Sequence, residues 1–171
     1  MDKNCNTEPF RLEHVYSENN EKFKEFSYML WQYILELNKI EPNVTERSQE
    51  ALEEEYFFCP GTEYILLMCG NDCAGFAIIG RGINCHPDAD MYIEEFYIRP
   101  EYRNKGCGHT FAKILLDGVQ TVCFIVLKKN AKAEKMWKEV FSDWKDVSIQ
   151  IPDVIPTEEW CNWYVYRRME E

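Results

Sequence analysis

The chain has 171 residues, enough for one domain with a sizeable buried core. Hydrophobic residues make up 46% and aromatics 15%, which argues against a disordered chain, and the longest apolar runs fall short of a membrane span. A formal net charge of -11 disfavours a nucleic-acid surface, which needs basic residues against phosphate, and suits a cationic substrate as well as plain solubility. The polar start of the chain, residues 1–8, has no apolar signal core, so the cytoplasm is the expected compartment. Eight cysteines are present, but Cys59, Cys69, Cys73 and Cys123 sit in apolar runs and no C-x-x-C pair occurs. Buried, reduced thiols are expected rather than a disulfide framework. Cys85-His86 and Cys107-x-His109 lack second halves at zinc spacing, so no metal is expected.

In chain order, residues 10–16 read as a strand. Residues 21–40 form an amphipathic helix with Phe23, Phe26, Leu30, Tyr33, Ile34 and Leu37 at helical spacing, Asn20 as its cap and Pro42 as its stop. Residues 45–57 read as a second, acidic helix with Thr45 as N-cap, ended by Pro60-Gly61. Its glutamates Glu46, Glu50, Glu53, Glu54 and Glu55 read as a solvated face. Strands at 62–69 and 73–81 make a hairpin around Gly70-Asn71-Asp72, and a third strand at 90–98 follows a loop at 82–88. A helix at 105–116, an apolar strand at 121–127, a helix at 131–140 and closing strands at 147–151 and 163–168 complete the chain. The order predicts a mixed α/β domain, 1–171, with helices on both faces of the sheet.

The sharpest local feature is Arg103-Asn104-Lys105-Gly106-Cys107-Gly108, between a strand and a helix. Two glycines one residue apart let backbone approach a ligand closely. The helix that begins there presents N–H groups and a positive dipole end, and Arg103 and Lys105 add charge. A bound diphosphate fits these features. A Walker loop needs Gly-Lys-Ser/Thr, which is absent, and a dinucleotide fingerprint needs a glycine where Phe111 stands.

The run at 92–108, with Pro100-x-x-Arg103 and then x-x-Gly106-x-Gly108, resembles the acetyl-CoA motif of the GNAT acyltransferase superfamily. Asn130-Ala131-Lys132-Ala133-Glu134-Lys135-Met136-Trp137 resembles that superfamily's second motif, Asn-x-x-Ala-x-x-x-Tyr. The resemblance implies a mixed, mostly antiparallel sheet of about seven strands and acetyl-CoA as co-substrate. It implies that backbone at Phe96, Tyr97 and Ile98 flanks the pantetheine arm, that residues Arg103, Asn104, Lys105, Gly106, Cys107 and Gly108 hold the pyrophosphate, and that Asn130, Ala133 and Trp137 face the cofactor. Trp137 departs from the pattern: the family's tyrosine can protonate a departing thiolate, an indole cannot. Tyr97 or Tyr166 could reach the sulfur instead.

Glu94-Glu95 interrupts a strand whose two faces are otherwise apolar. An ionised carboxylate there is costly unless paired or functional. Because successive side chains point to opposite faces, the pair is expected to act on two different sides of the sheet. The strand resembles that of spermidine/spermine acetyltransferases, which implies Glu94 as catalytic base and Glu95 in substrate binding. The reading is an N-acetyltransferase of a small amine or polyamine. Acetylation of a protein N-terminus or lysine, and a silent acyl-CoA-binding module, are the alternatives. A homodimer is common for the fold, and neither nucleic acid nor membrane is expected as a partner.

Overall fold

The structure, a computed structural model, describes residues 9–16, 21–57, 59–148 and 158–169. The elements are β1 (Phe10–His14), α1 (Glu21–Ile40), α2 (Gln49–Tyr56), β2 (Thr62–Cys69), β3 (Asp72–Gly80), β4 (Met91–Ile98), α3 (Cys107–Leu115), β5 (Thr121–Leu127), α4 (Ala131–Val140), β6 (Trp144–Asp146) and β7 (Cys161–Arg168). Short 3-10 turns at Gly82–Asn84 and Pro100–Tyr102 precede and follow β4. The seven strands form one sheet in the order β1-β2-β3-β4-β5-β7-β6. All its pairings are antiparallel except β4 with β5.

Alternation along the strands sends side chains into two cores. Ile65, Leu67, Ala77, Ile79 and Ile93 face α3 and α4, where Phe111, Ala112, Leu115 and Trp137 meet them. Tyr64, Leu66, Met68, Phe76, Ile78 and Tyr97 face α1 and α2. The apolar stripe of α1 supplies Phe23, Phe26, Leu30 and Ile34 to that second core, with the Phe26 ring centroid 4.7 Å from Phe76. Where α1 and α2 do not reach, the connection between β3 and β4 covers the sheet, with Cys85 and Ala89 packed over Cys123 and Val165.

Several expected boundaries shift for local reasons. The first strand ends at His14, not Tyr16, and Asn20 lies outside the described residues. The second helix starts at Gln49 because Ser48, not Thr45, accepts the capping hydrogen bond, from the Ala51 N–H at 3.2 Å. α3 starts at Cys107 because Asn104 and Gly106 both take positive φ, 59° and 77°, which no helix interior accommodates. The strand expected at 147–151 lies earlier, at Trp144–Asp146 on the edge of β7, and 149–151 lie outside the described residues. None of the seven described cysteines is in a disulfide; Cys59 is exposed and most of the others are buried.

β3 and β4 approach so closely at Gly75 that a Cβ there would lie 2.0 Å from the Tyr97 carbonyl oxygen. Gly75→Ala is therefore expected to push β4 away and destabilise the protein by about 1–3 kcal/mol. Thermal unfolding reads this as a lowered Tm. An unchanged Tm would contradict the register that sets Gly75 against Ile98.

Candidate active site

Parallel pairing between β4 and β5 covers only residues 91–93 against 122–124. Beyond it, residues 95–98 pair only with β3 and residues 125–127 only with β7. The two strands separate into a cleft of about 270 Å³, walled by Glu94, Glu95 and Phe96 on one side and by Phe124 and Val126 on the other. Tyr33 of α1, Tyr56 of α2 and the start of α4 at Asn130, Ala133 and Trp137 close it. The Arg99 N–H donates to the Ala74 carbonyl of β3. Alternation from that bond turns the backbone groups of Tyr97 toward β3 and those of Phe96 and Ile98 toward the cleft.

The separation begins at a bulge. Ile93 pairs with Ile79 and Glu95 with the next residue of β3, Ile78, so Glu94 is the extra residue. Ile93 and Phe96 both belong to the α3/α4 core, and the two residues between them turn to the opposite face. The sequence expectation of opposite faces is thus overturned. A bulge resets the alternation, and both glutamates lie on the α1/α2 side among Tyr33, Tyr56 and Tyr92. Glu94 is shared with a second, larger cavity of about 570 Å³, lined also by Glu55, Tyr56, Asn84, Cys85, His86 and Tyr92.

Burial raises both carboxyls. Glu94 is pushed above its ordinary value by desolvation. Glu95 is enclosed more fully, and loss of water pushes it up to about 8, with the neighbouring Glu94 charge adding to the effect. The Tyr33 hydroxyl, within hydrogen-bonding reach, offsets part of this. Among the described residues no lysine or arginine makes an ion pair with either glutamate. The pair is left as a weakly hydrated dyad. Desolvation and the two carboxylates in turn hold the Tyr56 and Tyr92 hydroxyls firmly protonated.

The glycine loop follows β4. Tyr102 is buried, with its hydroxyl 3.2 Å from Asp72, and pins the loop to the start of β3. Gly106 caps α3 with no side chain folded over the first turn, and a Cβ added to it would meet nothing within 4 Å. Gly108 serves differently: a Cβ there would lie 3.0 Å from the Met136 sulfur, so this glycine lets α3 pack on α4. Cys107 is buried, leaving its backbone as the part that can face a ligand, while Asn104 and Lys105 are exposed. Arg103 does not extend freely into solvent. Its Nε donates to the Ile98 carbonyl at 2.7 Å, its Nη2 pairs with Glu36 at 2.7 Å, and its guanidinium lies over the Tyr97 ring. The loop is thereby tied to β4 and α1.

Asn130 caps α4, its Oδ1 accepting from the Ala133 N–H at 3.2 Å. Trp137 stands among Phe96, Phe124 and Phe141, with centroid distances of 5.1, 5.2 and 5.7 Å, and lines the cleft. Tyr97 turns its hydroxyl to Glu36 on the far face, and Tyr166 is buried against Phe141. Neither lines the cleft. The tyrosines that do, Tyr33 and Tyr56, passed in sequence as core and helix-end residues. The signal for Tyr33 is its place one turn from Leu30 and Leu37 on the apolar face of α1. Glu55 lines the larger cavity while paired with Arg47, so the acidic face of α2 is not wholly solvated.

Residues 28–141 match the family model for the acetyltransferase (GNAT) family. No curated protein sequence matches the chain significantly. A GNAT-family acetyltransferase from Staphylococcus aureus Mu50 is similar in structure, with 16% identity over 95% of this chain and 100% of its own, TM-score 0.59. So is a diaminobutyrate acetyltransferase from Paenibacillus lautus in complex with its substrate L-2,4-diaminobutyric acid and coenzyme A, at 12% identity over 94% and 95%, TM-score 0.58. A ribosomal-protein-S18-alanine N-acetyltransferase from Escherichia coli shares 14% identity over 95% and 97%, TM-score 0.54. At such identities the likeness is one of fold, and the acceptors these proteins name differ.

The Glu95 shift carries a stability consequence. The folded chain keeps a proton that the unfolded chain has released, from the ordinary carboxylate pKa up to about 8. Stability therefore falls as pH rises through that window. Glu95→Gln removes the penalty, so its Tm should exceed that of the natural protein at about pH 9 and the gap should narrow toward about pH 4. Thermal unfolding at the two pH values reads it. A gap independent of pH would contradict a desolvated, protonated Glu95.

Proposed function

This chain belongs to the acetyltransferase (GNAT) family, and we propose that it moves an acetyl group from acetyl-CoA to the primary amine of a small molecule, polyamines included. The observation that carries this reading is Glu94, whose side chain lies in the wall of both the cleft and the larger acidic cavity. A group at that junction can face a donor on one side and an acceptor on the other. The larger cavity has Glu94 in its wall, with Glu55 beside it already paired to Arg47, and no lysine or arginine among its described lining residues, which suits an ammonium group at Glu94.

The cleft fits an acyl-CoA. The open space over Gly106 and the positive end of α3 suit a pyrophosphate, held by amides from Asn104 to Gly108 with Lys105 beside them. The edge of β4 without a strand neighbour, at Phe96 and at the Ile98 N–H (the Ile98 carbonyl being taken by Arg103), suits a pantetheine arm lying as an added strand. Asn130, Ala133 and Trp137 flank it from α4. Tyr97 and Arg103 act from behind, through the strand and loop they fix. Bound there, the thioester supplies an activated acetyl group.

The protein's own part is to make the amine nucleophilic. An alkylamine with pKa about 10.4 needs about 4.6 kcal/mol to lose its proton at pH 7. An exposed carboxylate is too weak a base to help, and its charge favours the ammonium. Desolvation relieves both problems at Glu94 by raising its proton affinity toward the working pH.

The test is CoA release across a panel of amines, polyamines and peptides. Glu94→Gln is expected to lower kcat by about 10²–10⁴-fold. The deficit should shrink as pH rises and the amine deprotonates unaided. Full kcat at pH 7 in a folded Glu94→Gln protein would overturn the assignment of the base.

A further inference from the structure

We propose that Glu95 is the general acid of the transfer, giving its proton to the departing CoA sulfur while Glu94 takes the proton of the amine. This rests on the transfer reading above. The argument starts from geometry. The bulge sets the two carboxyls side by side on one face, yet only Glu94 lines the larger acidic cavity, whereas both line the cleft. The glutamate confined to the cleft is placed for the donor, and the shared one for the acceptor.

Besides Glu94 and Glu95 the cleft wall holds one further carboxyl among the described residues, Glu158 ahead of β7 and away from the bulge; the remaining cleft groups fail as acids. Trp137 has an indole N–H that does not ionise near neutrality. Burial raises the Tyr33 and Tyr56 hydroxyls further above neutrality, so they release protons less readily than free tyrosine. Cys161 of β7 is raised as well. The ionisable groups around Glu95 are Tyr33 of α1, Tyr56 of α2, Tyr92 and Glu94 of β4, and Cys161 of β7, with Glu158 also in the cleft wall. Of these Glu94 is the one whose charge raises Glu95, favouring its protonated form. With a pKa of about 8, Glu95 is close to the value of a thiol, about 8.5, a matched pair for proton transfer.

The step balances. The amine nitrogen bonds to the acyl carbon as the bond from that carbon to sulfur breaks. The electron pair leaves on sulfur, which takes the Glu95 proton. An amine that arrives as ammonium first gives one proton through Glu94 to water, and after attack the nitrogen's remaining surplus proton goes to Glu94. Transfer of that proton across the bulge, from Glu94 to Glu95, restores both groups and leaves amide and free thiol.

Two readouts test the role. In the unliganded protein at pH 7, infrared spectroscopy should show a protonated-carboxyl band that Glu95→Gln removes and Glu94→Gln retains. In turnover, kcat of the natural protein should fall as pH rises past about 8 because the acid form is lost. Glu95→Gln should lower kcat by about 10²-fold with the KM for acetyl-CoA kept, and that basic limb should vanish. Tyr33→Phe, which removes the hydrogen bond that lowers Glu95, should move the limb to higher pH. Loss of the band in Glu94→Gln but not in Glu95→Gln, or wild-type kcat with the basic limb intact in Glu95→Gln, overturns the proposal while leaving the transfer reading standing. Absence of CoA release from the natural protein with every amine overturns that reading, and the acid role with it.

Discussion

The inserted residue in β4 is the constraint on which the rest of the site depends. One extra residue at Glu94 against β3 does three things together. It turns two consecutive side chains to one face. It bends the strand away from β5, so that the parallel ladder stops at residues 91–93. It thereby leaves the next stretch of backbone, at Phe96 and Ile98, without a strand neighbour on its open side. A sheet edge inside a domain exposes unmet hydrogen-bonding groups, which makes it a natural seat for an extended ligand.

Such an opening survives because the scaffold on either side is rigid. Two apolar cores clamp β3 and β4, and the close contact at Gly75 fixes β4 from behind. Across the opening, Lys129 pairs with the buried Glu41 at 2.9 Å, joining the end of α1 to the turn before α4. Arg103 binds the strand end, the loop and α1 in one set of contacts. Within this frame a pair of desolvated carboxyls is tolerated although it disfavours the folded state progressively as pH rises above the ordinary carboxylate pKa. Stability is given up locally at this pair, a feature that marks a candidate functional site.

Much of the fold could be read in advance because strong patterns mark it. The apolar spacing of α1, the Gly70-Asn71-Asp72 turn and the Asn130 cap each carry a local physical signal, and α1, β2, β5 and α4 lie at the expected residues. Weak signals failed: Thr45 and Ser48 are both good caps, and only the geometry of the chain selects Ser48. At the site, the glycine loop and the glutamate pair were visible as residue types. Their arrangement was not, because a bulge is a property of the register between two strands and no residue of β4 announces it. The same holds for Gly108, whose reason for being glycine is Met136, and for Tyr33, which lies 62 residues from Glu95 in sequence and beside it in space.

The central claim is that the open edge of β4 takes an acyl-CoA as an added strand. Amide hydrogen exchange, read residue by residue with and without saturating CoA, tests it most directly. The account predicts slowed exchange at the Phe96 and Ile98 amides together with those from Asn104 to Gly108. CoA bound to the protein with exchange at Phe96 and Ile98 unchanged would contradict it.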